Sequence, residues 1–276
     1  MVHLSWQPAT QKRALVSVAL VALSLTLYVS GTLALTSAVA LPIFALLVAL
    51  HTSFKVTRSR LNTLLAASLW LLALISGFAI ALYRPGNFTY PAVHHFSELG
   101  FTLYPNLAKA LAGYFIIIWL WEPYGIGQGR TRAPAALLVG VSALAVLCAA
   151  SFVFKIDWQP KLPDGILWFV LINFGITVVA EEAFFRLLLQ DGLAKLVLMA
   201  SAKKQRVAQW GAAAVATLLF ALAHASITHP LFWLFLLAGG VYALVYQCTG
   251  RFSAATATHF GVNILHFTLL EYPLTL

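Results

Sequence analysis

The chain has 276 residues, of which 61% are hydrophobic and only 9% charged, with a formal net charge of +9. Soluble domains carry about 25% charged residues, and here apolar runs of bilayer length recur from end to end, which excludes a soluble enzyme or binding module. The basic excess sits in short loops between apolar runs, where cytoplasmic loops collect Lys and Arg, so it does not form a nucleic-acid surface.

In chain order, Lys12 and Arg13 precede the apolar run "ALVSVALVALSLTLYVSG". Small residues at "LTSAVALP" would suit a cleaved signal peptide, but more apolar sequence follows at once, so this run is read as a retained first helix. Apolar segments then fall at 14–31, 33–53, 61–83, 107–121, 134–154, 165–190, 207–226, 231–248 and 254–271. The expected fold is an all-α polytopic membrane protein of eight to nine transmembrane helices. Eight stays open because 107–121 is short and only "SGTLALTS" separates the first two segments.

Charge sorting favours a cytoplasmic N-terminus. Nine spans put Lys12, Arg13, Lys55, Arg58, Arg60, Arg130, Arg132, Lys195, Lys203, Lys204, Arg206 and Arg251 inside. Arg84, Lys109, Lys155 and Lys161 fall outside, and Arg186 is left within a span. The aromatic, Pro- and Gly-bearing stretch "YRPGNFTYPAVHHFSELGFTLYPN" reads as an external loop or re-entrant segment. Residues 191–206 are basic and amphipathic, and either continue the sixth helix or lie along the inner interface. Cys148 and Cys248 each lie within an apolar run and form neither a disulfide framework nor a metal cluster.

The sixth segment contains "GITVVAEEAFFRLLLQ". Ionised side chains in hydrocarbon cost about 2.5–3.5 kcal/mol each on insertion scales, so they must face protein or water and find partners. Glu182 and Arg186 are four apart and share a helix face in the favoured order. A packing clamp accounts for that pair. It does not account for Glu181, which is rotated by about 100° and left without a cation. Adjacent carboxylates in different surroundings are a way to separate a structural acid from a working base.

Further polar positions are Phe220 and His224 in "FALAH", and His259 and Asn263 in "HFGVN". A carboxylate, two imidazoles and an amide supply a base, a proton carrier and oxyanion donors. A lone intramembrane histidine is more often a packing residue, but this set draws on three predicted helices. Glu181 lies about 23 residues before the turn at "KKQR" and His224 about 20 after it, which makes them level. His259 lies only about eight residues past the turn at "CTGR", so a tilted or broken helix is needed to bring it level. His266 receives no role. Asn173 and Thr177 approach the face of Glu181, and are read as hydrogen-bonding between helices.

"EEAFFR", "FALAH" and "HFGVN", in that order on separate spans, resemble the CPBP family (CAAX protease and bacteriocin-processing, or Abi) over about residues 163 to 271. The resemblance implies an intramembrane glutamic endopeptidase with its core in 161–276, residues 1–160 being accessory transmembrane helices. It implies catalytic roles for Glu181, His224, His259 and Asn263: Glu181 activates a water with help from His224, and His259 and Asn263 hold the oxyanion. Glu182, Arg186 and Phe220 are support.

No cofactor is expected. A Glu with two His is a conceivable zinc set, but H-E-x-x-H is missing and Asn263 is a poor zinc ligand, so zinc is the weaker reading. The expected partners are the lipid bilayer and a membrane-associated protein or peptide substrate: a prenylated C-terminus, a bacteriocin leader or a sorting tail. The expected location is a bacterial inner membrane.

Two other classes compete. A proton- or ion-coupled transporter also uses intramembrane Glu, His and Arg, though no repeat is visible and the polar set sits at one end of the chain. A non-catalytic immunity or scaffold protein of the same fold would not need all the motif residues. The topology is directly testable. Alkaline phosphatase fused after Tyr90 is expected to be active, and fused after Thr57 inactive; the reverse pattern would invert the orientation.

Overall fold

A computed structural model describes residues 8–53, 60–121, 134–200 and 205–274. Lys55, Arg58, Arg130, Arg132, Lys203 and Lys204, which enter the charge sorting, lie outside the described residues. Helices α1 (Pro8–Val29), α2 (Leu35–Ser53) and α3 (Arg60–Leu82) come first. A small antiparallel hairpin follows, β1 (His94–Phe96) with β2 (Phe101–Leu103), and then α4 (Leu107–Leu120) and α5 (Ala135–Phe152).

The sixth predicted segment is one helical run over 166–200. It comprises α6 (Ile166–Ile172), a π-helical stretch (Asn173–Val178), α7 (Val179–Glu182), a second π-helical stretch (Ala183–Asp191) and α8 (Gly192–Ala200). The chain continues with α9 (Gln205–His224), α10 (Leu231–Thr249) and α11 (Phe252–Leu269). Each of the nine apolar segments is thus helical. Among the described residues, seven helices are long and apolar enough to cross a membrane. The other two segments fall short for different reasons. α4 has 14 residues, and α11 carries Thr256, Thr258, His259, Asn263 and His266.

The outer faces of α1, α3 and α5 present Leu15, Val18, Leu64, Ile75 and Leu137 without a protein neighbour to cover them. Water would not tolerate so continuous an apolar surface, and lipid does. Inside, Phe44, Phe115, Leu188, Phe220 and Tyr242 belong to one buried cluster that draws on helices from both sides of residue 160.

Lipid removes the hydrophobic drive for helices to associate, so close packing depends on small residues. A Cβ on Gly113 of α4 would stand 2.5 Å from Ala180 Cα on α7, so only glycine permits that approach. Gly239 of α10 admits the Phe220 ring in the same way.

The stretch expected as an external loop or re-entrant segment contains the hairpin. Gly100 closes its turn at φ 59°, and Phe96 packs on Phe267 of α11 with ring centroids 5.4 Å apart. Phe267 in turn stacks on Phe169 of α6 at 3.8 Å. α8 settles the reading of 191–200 as a continuation of the sixth helix; residues 201–204 lie outside the described residues. After α5, residues 157–161 are tied to the end of α11 by backbone bonds such as Gln159 N to Leu269 O, and by Lys161 Nζ on the Leu270 carbonyl.

Gly113→Val is expected to destabilise the protein by about 1–3 kcal/mol through overpacking. Gly211→Ala, where an added Cβ meets nothing within 4 Å, should be neutral or better. Thermal unfolding in detergent checks both, and equal behaviour of the two variants would contradict the packing argument.

Candidate active site

Glu181 and Glu182 occupy the four-residue α7 between the two π-helical stretches. Hydrogen bonds of the i→i+5 kind change the rotation per residue, and such segments are frequent at functional sites. Here they turn the two neighbouring carboxylates toward different partners. Trp70 Nε1 donates to the Leu188 carbonyl at 2.7 Å, fixing the second stretch against α3.

Glu182 and Arg186 are fully buried and paired, with Arg186 Nε 2.9 Å from Oε2, as the i, i+4 spacing predicts. Arg186 Nη1 donates to Gln190 Oε1 at 2.9 Å, and Gln190 Nε2 reaches Gln247 Oε1 on α10 at 3.4 Å. The other Glu182 oxygen, Oε1, accepts from His259 Nδ1 at 2.9 Å. Glu182 therefore braces its own helix and also orients a histidine of α11.

Glu181 is not unpaired, which corrects the expectation from sequence. Lys109 Nζ of α4 donates to its Oε1 at 2.9 Å. Lys109, which charge sorting puts on the outer side, lies in the first turn of α4, with its side chain only 21% exposed. The signal for it was present, since a lysine inside the apolar segment 107–121 needs a partner as any intramembrane charge does.

The second Glu181 oxygen, Oε2, faces two imidazoles: His224 Nε2 at 3.7 Å and His259 Nε2 at 3.8 Å. His224 is the last residue of α9, and its Nδ1 lies 2.7 Å from the Phe220 carbonyl. A carbonyl and a carboxylate only accept, so both Nδ1 atoms are assigned as donors. In the neutral rings both Nε2 atoms are then acceptors. Three acceptors converge at distances too long for direct hydrogen bonds and suited to a bridging proton donor.

The rings are held by stacking. Tyr242 lies on His259 at 4.4 Å, Phe220 on His224 at 4.3 Å, and Phe235 stacks with His224 at 5.0 Å. Sequence reasoning missed Tyr242, which is an ordinary aromatic of an apolar helix when read alone. It found Phe220, whose carbonyl and ring both serve His224.

The structure brings Glu181, His224 and His259 together. The helix carrying His259, expected to be tilted or broken, is unbroken over Phe252–Leu269, and the irregular element is the 166–200 run. Asn263 sits one turn beyond His259 and donates to Asn173 Oδ1 at 3.3 Å, an inter-helix bond of the kind expected for Asn173. His266 Nε2 lies 3.0 Å from the Glu271 carbonyl.

Glu181, His224 and Thr177 line two cavities at once. One, of about 460 Å³, extends from the hairpin residue Phe101 and Arg84 past Asn106 and Lys109. Tyr272 also lines it, and burial pushes its hydroxyl up to about 12, so it stays protonated. The other, of about 160 Å³, reaches His259, Asn263 and His266. Among the described residues, no group of three or more His, Cys, Asp or Glu side chains is arranged to hold a metal ion.

Residues 163–265 match a family described as Rce1-like, type II CAAX prenyl endopeptidase. No curated protein matches the chain, and no solved structure does. The matched segment contains Glu181, Glu182, Arg186, Phe220, His224, His259 and Asn263, and leaves out Lys109. Over residues 163–265 the chain is thus similar to the Rce1-like family of type II CAAX prenyl endopeptidases, which is the CPBP or Abi family.

Proposed function

We propose that the protein is an intramembrane endopeptidase in which Glu181 turns a water molecule into the nucleophile. The observation that carries this reading is the convergence of Glu181 Oε2 with His224 Nε2 and His259 Nε2, where two cavities meet inside a helix bundle. The family match adds that the chemistry is peptide hydrolysis.

In this mechanism a water donates one proton to Glu181 Oε2 while its oxygen bonds to the carbonyl carbon of the scissile peptide. The carbonyl oxygen becomes an oxyanion. Asn263 Nδ2, which has a second N–H besides the one given to Asn173, donates to it. His259, oriented by the Glu182 carboxylate at Nδ1, presents its Nε2 to the same place and donates to the oxyanion when that nitrogen carries a proton. His224 Nε2 takes the water's proton from Glu181 Oε2 and passes it to the leaving amine, so the C–N bond breaks, the oxyanion closes to the carboxyl product and Glu181 is ionised again. Glu182 and Arg186 stay paired throughout and act as support.

No metal enters this scheme. Asn263 is a poor zinc ligand, and the Lys109 ammonium 2.9 Å from Glu181 Oε1 already neutralises that carboxylate, so a second cation beside it is disfavoured. Residues 161–276 form the protease core in this reading, and residues 1–160 support it. The substrate is a membrane-associated protein or peptide whose cleaved segment enters the larger, mainly apolar-walled cavity beside Glu181. The enzyme sits in a bacterial inner membrane with its N-terminus in the cytoplasm.

Wild type and Glu181→Gln, expressed at equal levels in the native host, should differ in protein termini of the membrane fraction by mass spectrometry. Loss of the general base is expected to lower cleavage by at least about 10²-fold. Identical termini, with both proteins folded and inserted, would sink the protease reading and favour a coupled transporter.

With the substrate identified, 1,10-phenanthroline should leave cleavage by the purified enzyme unchanged. Inhibition reversed by added zinc would replace the metal-free scheme. Arg186→Met should instead fail in folding, since removing one partner of a buried pair costs about 3–5 kcal/mol. A stable but inactive Arg186→Met would place Arg186 in the chemistry.

A further inference from the structure

Lys109 lies on α4, outside the segment that matches the peptidase family, yet it is the closest polar neighbour of the proposed base. Its place is built from several directions. Asn106 caps α4 by accepting from the Lys109 backbone N–H at 3.0 Å. The same Asn106 Oδ1 accepts from Tyr90 Oη at 3.1 Å, and Asn106 Nδ2 donates to the Ala81 carbonyl at the end of α3, at 3.0 Å. One turn further along α4, Gly113 lets the helix lie directly against Ala180, the residue before Glu181. α3, α4 and α7 are thereby locked so that the ammonium reaches one oxygen of one carboxylate.

Two consequences follow for Glu181. First, Oε1 is held by Lys109 and Oε2 is turned toward His224 and His259, so the ammonium decides which oxygen faces the imidazoles. Second, the charges close. Glu182 is balanced by Arg186 on its own helical run and Glu181 by Lys109 from α4, while His224 of α9, His259 of α11 and Tyr242 of α10 complete the surroundings. Without the ammonium, two ionised carboxylates on adjacent residues would share a single arginine in a poorly solvated site. One of them would take up a proton, as like charges at close range require. Glu181, lacking the arginine, is the one that would.

We propose that Lys109 is a positioning residue that keeps Glu181 ionised and presents its Oε2 to the reaction centre, so that the site is incomplete without α4. The inference deepens the reading of Glu181 as the base, and its test does not depend on cleavage. N,N′-dicyclohexylcarbodiimide partitions into membranes and modifies carboxyl groups in their protonated form. Full-length protein in proteoliposomes is treated with this reagent, and the adduct on Glu181 is quantified by mass spectrometry with Glu182 as the internal reference.

Wild type and Lys109→Arg should label Glu181 weakly. Lys109→Met should raise labelling of Glu181 at least about fivefold, since a partner charge shifts such an equilibrium by a factor of ten or more. Lys109→Gln is the second variant, keeping a polar side chain in the same space should Lys109→Met fail to insert. Unchanged labelling in folded Lys109→Met or Lys109→Gln overturns the proposal, whatever the enzyme's activity.

Where cleavage is measurable, kcat should fall about tenfold or more in Lys109→Met, with KM within about twofold and activity restored in Lys109→Arg. A rise in KM alone would move Lys109 from positioning the base to binding substrate, and would equally overturn the proposal. Absence of cleavage by wild type would remove the protease reading while the labelling result still decides the role of Lys109.

Discussion

Two neighbouring carboxylates inside a membrane bundle, Glu182 buried and Glu181 partly so, impose the constraint on which the rest of this structure depends. Each needs a cation, and one arginine on the same helix serves only one of them. Arg186 answers Glu182 from the next turn, at full burial. Lys109 answers Glu181 from a helix more than seventy residues earlier in the chain. The first pair is local and follows from the helical repeat. The second exists only because α4 is brought against α7, and that approach rests on Gly113 and the Asn106 cap.

The same constraint makes sense of the irregular helix. A regular α-helix carries neighbouring side chains about 100° apart, with little freedom to choose where each points. The π-helical stretches on either side of Val179–Glu182 relax that geometry. Glu182 reaches inward to Arg186 and His259, and Glu181 reaches the boundary between two cavities. One carboxylate is spent on structure and the other is left where chemistry is feasible. His259 is shared between them, with one ring nitrogen toward each glutamate. It joins the brace to the proposed reaction centre.

Much of this was legible in the chain itself. The membrane class, the nine apolar segments and the Glu182–Arg186 pair follow from hydropathy and the helical period, which are local properties. The three motifs also followed, because charged and imidazole side chains stand out against an apolar background where each carries a free-energy cost. Less legible were features that depend on which helices become neighbours. Lys109 read only as a charge on the outer side, since a lysine near the start of a short apolar segment looks the same whether it meets water or a carboxylate. Tyr242 gave no signal at all, because an aromatic on an apolar helix is ordinary until a histidine lies on its face. The hairpin at 94–103 was hidden because strands of three residues have too few positions to show a period.

The sequence by itself therefore determined the solvent of this protein, its helical class and the residue types available for chemistry, since those depend on composition and on spacing within single helices. The tertiary structure alone decided that His259 stands level with Glu181, that Glu182 holds it there, and that the cation on Glu181 comes from α4. Those are relations between segments far apart in the chain. They are set by glycine-permitted helix contacts and by the register of a helix with π-helical turns, and no local period encodes them.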